Sequence, residues 1–164
     1  MIYGLIVAGG MDLIEVGGIP KQFLKIRHRA IISYATEVFL NHDGINKVIV
    51  LVPKDWVEHT EQLFLQDFGE RDKLIVTTAG KSRVGTVLNG IKYIKENLPF
   101  DDETMVISHE AIRPFVTGEI INRNINAMEE FDACTTVVAM RETVFESDDK
   151  KSISLMPKKA ILYR

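Results

Sequence analysis

Cysteine is almost missing from this 164-residue sequence: Cys134 stands alone, which excludes an internal disulfide and a cysteine-based zinc site. It lies in an apolar run, so the sequence predicts a buried, inert thiol. The four histidines include no pair at metal-ligand spacing. No apolar run approaches membrane-spanning length, and the N-terminal run has no basic segment before it. The expectation is a cytoplasmic protein with no membrane partner. A basic surplus is also lacking: 20 Lys and Arg face 23 Asp and Glu, a net charge of −3. That argues against a general nucleic-acid binder. Any phosphate ligand must be held by local positive groups, because the overall field repels it. Neither the GxxxxGK[ST] of a P-loop nor the GxGxxG of a dinucleotide fold occurs.

What is present is a regular alternation. Ile2–Ala8, Lys47–Val52, Lys73–Thr78, Thr104–Ser108 and Ala133–Ala139 are short β-prone runs. Between them, apolar residues recur at helical spacing: Ile32, Ala35, Val38 and Phe39; Trp56 to Phe68; Val84 to Ile94. A further helix is expected from Thr117, a candidate cap, to about Glu130. Nearly continuous apolar strands alternating with helices predict an α/β fold, a doubly wound and mostly parallel sheet covered on both faces. The helical stripes are core. From Arg141 the alternation stops. Thr143–Ser147 and Ser152–Leu155 flank Asp148-Asp149-Lys150-Lys151 as a candidate hairpin, either an oligomer arm or a local meander. The division expected is a nucleotide-binding domain over 1–140 and a β-arm over 141–164.

The first strand runs directly into Gly9-Gly10, and its loop closes on Pro20-Lys21-Gln22-Phe23. Glycines at the C-terminal edge of a strand let a phosphate approach backbone N–H groups with no Cβ in the way. Open α/β sheets bind nucleotides at such edges. A lysine beside them can neutralise phosphate charge. The same pattern also describes a plain turn followed by a solvated lysine, and residues alone leave both readings open.

Four segments, LIVAGG (Leu5–Gly10), PKQFL (Pro20–Leu24), AGKSRVGTVLNGI (Ala79–Ile91) and SHEAIRPF (Ser108–Phe115), resemble in order and spacing the cytidylyltransferases of polyol phosphates. The opening MIYGLIVAGG, the Phe of PKQF, KDWVEHT (Lys54–Thr60) and the Phe of RPF are more similar to the ribitol-5-phosphate branch. The related branch acts on 2-C-methyl-D-erythritol 4-phosphate. The resemblance implies a Rossmann-like nucleotidyltransferase fold with a projecting β-arm, a homodimer and Mg2+. It implies attack of a polyol-phosphate oxygen on the α-phosphate of CTP with loss of pyrophosphate. Lys21 then corresponds to the lysine that stabilises charge on the α-phosphoryl group, and Ala8, Gly9 and Gly10 to the start of the triphosphate loop. Gly80, Arg83 and Thr86 match positions around cytosine and ribose. Glu110 matches an acid near metal and nucleotide, and Arg113 the arginine after it. Thr143 and Lys158 match residues that reach the acceptor phosphate. Arg113, just before Pro114, is equally placed to brace its loop, and Thr86 to be an ordinary first-turn residue. His109, at a strand end, is better placed to bond backbone than a metal.

The sequence also departs from the family pattern. The loop reads MDLIEVGG, without the family's arginine and with Asp12 and Glu15. Glu110 replaces an aspartate, and Lys81 stands where an acidic or small residue is usual. The chain is expected to end before the family's C-terminal segment. A catalytically impaired, nucleotide-binding relative is therefore the rival reading; a bare interaction domain would make four phosphate-site motifs a coincidence.

Overall fold

A computed structural model describes residues 1–10, 18–138, 147 and 151–152. Two compact units are distinguished, Met1–Asn122 and Arg123–Arg164. In the first, the apolar runs form the parallel strands β1 (Ile2–Val7), β4 (Lys47–Val52), β5 (Leu74–Thr78) and β6 (Met105–Glu110), in the spatial order β5-β4-β1-β6. β1 and β4 are central and almost wholly buried. Each must therefore be apolar on both faces, which is why neither alternates with polar residues.

Helices cover the two faces. On one, α1 (Ile31–Leu40) sets Phe39 directly over Gly4 of β1, and α2 (Val57–Phe68) follows a 3-10 turn at Lys54–Trp56. On the other, α3 (Arg83–Asn97) approaches closely enough at Gly90 to touch Leu5 and Leu51. Tyr3, Leu5, Ile49, Leu51 and Ile94 make the core there. Tyr3 sends its hydroxyl out to donate to Pro99 O at 2.6 Å, so a large aromatic is buried with its polar end paired. Lys73 secures the far end of α1: its Nζ donates to Leu40 O and His42 O at 2.8 and 2.7 Å. That places a cation on the helix's orphan carbonyls.

The expected strands and helices up to Gly69 agree with the structure, with one omission. Lys25–Ile26 (β2) and Arg29–Ala30 (β3) form a small antiparallel hairpin. Its turn puts Arg27 at φ 60°, a position that normally calls for glycine or asparagine, so no turn signal was visible. Tertiary contacts hold the hairpin instead. Arg29 donates to Glu37 of α1 at 2.7 Å and lies 5.1 Å from the Phe68 ring of α2. That hydrogen bond to Glu37 is the main reason its pKa is raised, against the cost of burial.

Two boundaries and one element differ from expectation. β6 continues two residues beyond Ser108, because Ile6 and Val7 of β1 offer partners to His109 and Glu110. The last helix, α4, is Gly118–Ala127, and Thr117 does cap it, its Oγ1 accepting from Ile120 N at 3.3 Å. It stops early because Ala127 O takes both Glu130 N and Phe131 N, which tightens the chain into turns. In the second unit, the expected strand over Ala133–Ala139 is absent from residues 133–138. A β-prone run becomes a strand only when another backbone pairs with it. Here Asn124 of α4 binds the segment through Thr136 Oγ1 at 2.8 Å and meets Cys134 Sγ at 3.4 Å. Cys134 is consequently exposed, not buried. The candidate hairpin and the pieces beyond it lie outside the described residues, apart from Ser147, Lys151 and Ser152. Among the described residues no helix is long and apolar enough to cross a membrane.

Candidate active site

Counting only the four parallel strands, chain order runs outward from β1 to β4 and β5, then returns to β6 on the other side of β1. The direction of winding thus reverses between β1 and β6, and ligands of open α/β sheets bind beyond the carboxyl ends of the strands at such a reversal. Those ends are where the sequence placed its candidates. β1 leads into Ala8-Gly9-Gly10, β5 into Ala79-Gly80, and β6 ends on Glu110, in register with Val7.

The glycine segments need their glycines. A Cβ on Gly9 would sit 2.7 Å from Ala79 Cβ and 2.9 Å from Thr86 Oγ1. One on Gly80 would overlap the backbone of Gly85, at 2.3 Å from its carbonyl carbon. The two turns and the start of α3 are therefore pressed together. Gly10 differs: among the described residues, a Cβ there meets nothing within 4 Å. Among the described residues, accordingly, none crowds the Gly10 backbone.

α3 begins at Ser82, whose Oγ accepts from Gly85 N at 3.0 Å, a cap that contributes about 1 kcal/mol. Thr86, buried in the next position of that turn, donates from Oγ1 to Ser82 O at 2.8 Å and accepts from Gly80 N at 3.1 Å. Its hydroxyl thus shapes the Gly80 loop.

Glu110 gathers the charges. Arg83, from the first turn of α3, places Nε 3.1 Å from Glu110 Oε1, and Arg113 donates Nε to Glu110 Oε2. The two arginines, chiefly Arg113, hold the Glu110 carboxyl below its ordinary range even though burial opposes it. Both guanidiniums remain largely exposed, with donors to spare for an anion. Each Glu110 oxygen takes one arginine and keeps a further lone pair, and no group of three or more His, Cys, Asp or Glu that could hold a metal occurs among the described residues. His109 Nε2 donates to Arg113 O at 2.8 Å, and its ring lies 5.6 Å from Phe39. Burial, the largest influence, pushes its pKa down, so the ring is neutral at neutral pH and braces the loop as expected.

Lys21 stands on the exposed side of a 3-10 turn, Lys21–Phe23, that packs its next two residues inward. One of these, Gln22, belongs to the PKQF segment, but a glutamine between a lysine and a phenylalanine carries no signal of its own in the sequence. In the fold it is 2% exposed, and its Nε2 donates to Ala8 O at 2.8 Å and to Gly10 O at 3.0 Å. The lysine turn is therefore pinned to the glycine turn. Phe23 stacks on Trp56 with centroids 4.5 Å apart, and His59 meets both rings edge-on. Arg83 and Arg113 thus meet at Glu110, two positive groups on one negative, while Lys21 is tied through Gln22 to the glycine turn after β1. Thr143, Lys158 and the Met11–Gly17 stretch with its two acids lie outside the described residues.

A family model described as IspD: 2-C-methyl-D-erythritol 4-phosphate cytidylyltransferase matches residues 2–164. The chain belongs to this family. It is a family of CTP-dependent cytidylyltransferases, enzymes that work with a divalent metal. Among solved structures, 4-diphosphocytidyl-2C-methyl-D-erythritol synthase from Anaerococcus prevotii is similar, at 21% identity and a TM-score of 0.73, over 99% of this chain and 66% of that one. The 2-C-methyl-D-erythritol 4-phosphate cytidylyltransferase of Francisella tularensis gives 21% and 0.75, over 99% and 68%. That of Thermus thermophilus gives 16% and 0.65, over 98% and 65%. These likenesses establish the Rossmann-like nucleotidyltransferase fold. The chain spans about two thirds of the length of these structures. The names they carry are those of the methylerythritol phosphate branch, and the lean toward ribitol 5-phosphate in the motifs finds no support from them.

Proposed function

We propose that this chain transfers a cytidylyl group from CTP to 2-C-methyl-D-erythritol 4-phosphate and releases pyrophosphate. The observation that carries this is the convergence of four separate sequence segments on one strand edge, in a chain that the family model matches almost end to end. In the reaction an acceptor phosphate oxygen forms a bond to the α-phosphorus while the bond from that phosphorus to the β-phosphate oxygen breaks. Negative charge builds on the α-phosphoryl oxygens, so fixed positive groups aimed there lower the barrier. Lys21 is the group proposed to meet that charge, with the Gly9-Gly10 backbone receiving the triphosphate. Gly80 and the start of α3 shape the nucleoside side, and Arg83 and Arg113, held by Glu110, face the anions. Mg2+ is proposed as the metal, entering with the triphosphate, where it would neutralise phosphate charge. Dimerisation through 141–164, with Thr143 and Lys158 reaching the acceptor phosphate, is proposed from the family resemblance; sedimentation of a chain lacking the hairpin should then show monomers.

Ribitol 5-phosphate is the second reading. It is favoured by the stacking of Phe23 on Trp56, which joins two segments similar to that branch, PKQF and KDWVEHT. The test is pyrophosphate release with CTP and Mg2+, the two acceptors run in parallel. Release with the methylerythritol phosphate alone bears out the proposal, and release with ribitol 5-phosphate alone replaces it with the second reading. Silence with both, on protein that binds CTP, would identify an impaired relative.

A further inference from the structure

Gln22 is buried to 2% exposure, yet its side chain is fully polar and close to the site. Burying an amide is costly unless its hydrogens are used. Both Nε2 hydrogens are used here, one on Ala8 O and one on Gly10 O, at 2.8 and 3.0 Å. The two acceptors flank Gly9, so a single side chain grips the glycine turn on both sides of its middle residue. In a trans peptide the carbonyl and the following N–H point in opposite directions. Anchoring Ala8 O on Gln22 thus turns Gly9 N–H away from it. Pro20 O accepts from Phe23 N at 2.9 Å, which closes the turn that carries both Lys21 and Gln22. Neighbouring residues of this turn serve opposite sides: Gln22 faces the interior and Lys21 the exterior. Phe23, buried against Trp56, prevents the turn from rolling.

We infer that Gln22 is a positioning residue, which fixes Lys21 and the Gly9-Gly10 backbone in one geometry so that both meet the same phosphate groups. It rests on the cytidylyl-transfer reading for its kinetic consequence, though not for the geometry. Misplacing a catalytic group by about 1 Å can cost roughly a hundredfold in rate. Gln22→Met keeps the length of the side chain and removes both donors. The expected result is a fall in kcat of about ten- to a hundredfold, with KM for CTP changed less than about threefold. In a Lys21→Ala background the same substitution should add little, because the residues act as a unit. Gln22→Glu should regain activity as pH falls, since a protonated carboxyl can again donate one hydrogen bond. A kcat within about threefold of the parent per folded molecule, or fully additive losses in the double variant, would overturn the inference. If the parent itself releases no pyrophosphate with either acceptor, the functional reading fails separately. Amide hydrogen exchange then decides the coupling. Gln22→Met should deprotect Ala8, whose N–H is bonded to Leu51 O, and Phe23-Leu24, bonded within the lysine turn, together; unchanged exchange at either would overturn the inference.

Discussion

Gly80→Ala and Gly10→Ala together separate packing from binding at the strand edge. The added methyl at Gly80 would lie 2.3 Å from Gly85 C, 2.5 Å from its oxygen and 2.7 Å from Thr86 N. These are backbone atoms of the first turn of α3, so no side chain can swing aside. Reaching ordinary contact requires the loop and helix to part by about 1 Å. Overpacking of this kind costs about 1–3 kcal/mol. The separation also stretches the 3.1 Å bond from Gly80 N to Thr86 Oγ1, worth about 1 kcal/mol more. A loss of about 2–4 kcal/mol corresponds to a fall in Tm of about 5–15 °C for a chain of this size. At Gly10 the methyl meets nothing within 4 Å among the described residues, and the φ there is not in the left-handed region, so stability should change by less than about 0.5 kcal/mol. CTP binding should nevertheless weaken, because the methyl occupies the space through which a phosphate reaches the backbone. Urea denaturation and calorimetric titration with CTP measure the two quantities side by side. Equal stability for Gly80→Ala and the parent would refute the packing argument; unchanged CTP affinity for Gly10→Ala would refute the cradle.

Three further predictions use the titratable side chains. Lys21→Ala should lower turnover by about a hundredfold or more, as loss of a transition-state charge donor does, and near-normal pyrophosphate release would remove it from the mechanism. Glu110→Gln keeps the shape but leaves Arg83 and Arg113 without their counter-charge. Turnover should fall about tenfold, in line with loss of a positioning contact, while the Mg2+ concentration for half-maximal rate stays within about threefold. A tenfold rise in that concentration would make Glu110 a metal ligand instead. His109 has a folded-state pKa below its unfolded value, so the unfolded chain binds the extra proton. Its contribution to stability is complete above about pH 6.5 and is lost as pH falls through the lowered value. His109→Asn should flatten the dependence of Tm on pH between about 7.5 and 5, and an unchanged slope would assign that dependence to other groups.

How much of this was legible from residues varies with the range of the interaction. Unbroken apolar runs such as Lys47–Val52 can be buried on both faces only in a covered parallel sheet, and the sheet followed. Arg83, Glu110 and Arg113 could be nominated from motifs, but not their mutual contact, which depends on β6 running two residues past Ser108 beside β1. The Ala133–Ala139 run is β-prone yet forms no strand over residues 133–138, because β-propensity describes what a backbone accepts, whereas a strand needs a neighbour to pair with.

Sequence by itself determined the alternation of strand and helix, the glycines at strand ends and the lysine beside them, because these depend on local periodicity and on the absence of side chains. Tertiary structure alone decided which turns touch. It set Gly80 against Gly85, gave Thr86's hydroxyl to the backbone, and bent the Arg27 turn through contacts of Arg29 with α1 and α2. It also turned Gln22, unremarkable as a letter, into the link between the glycine turn and Lys21. A buried amide takes its meaning from the carbonyls it finds, and those are fixed only when the chain has closed.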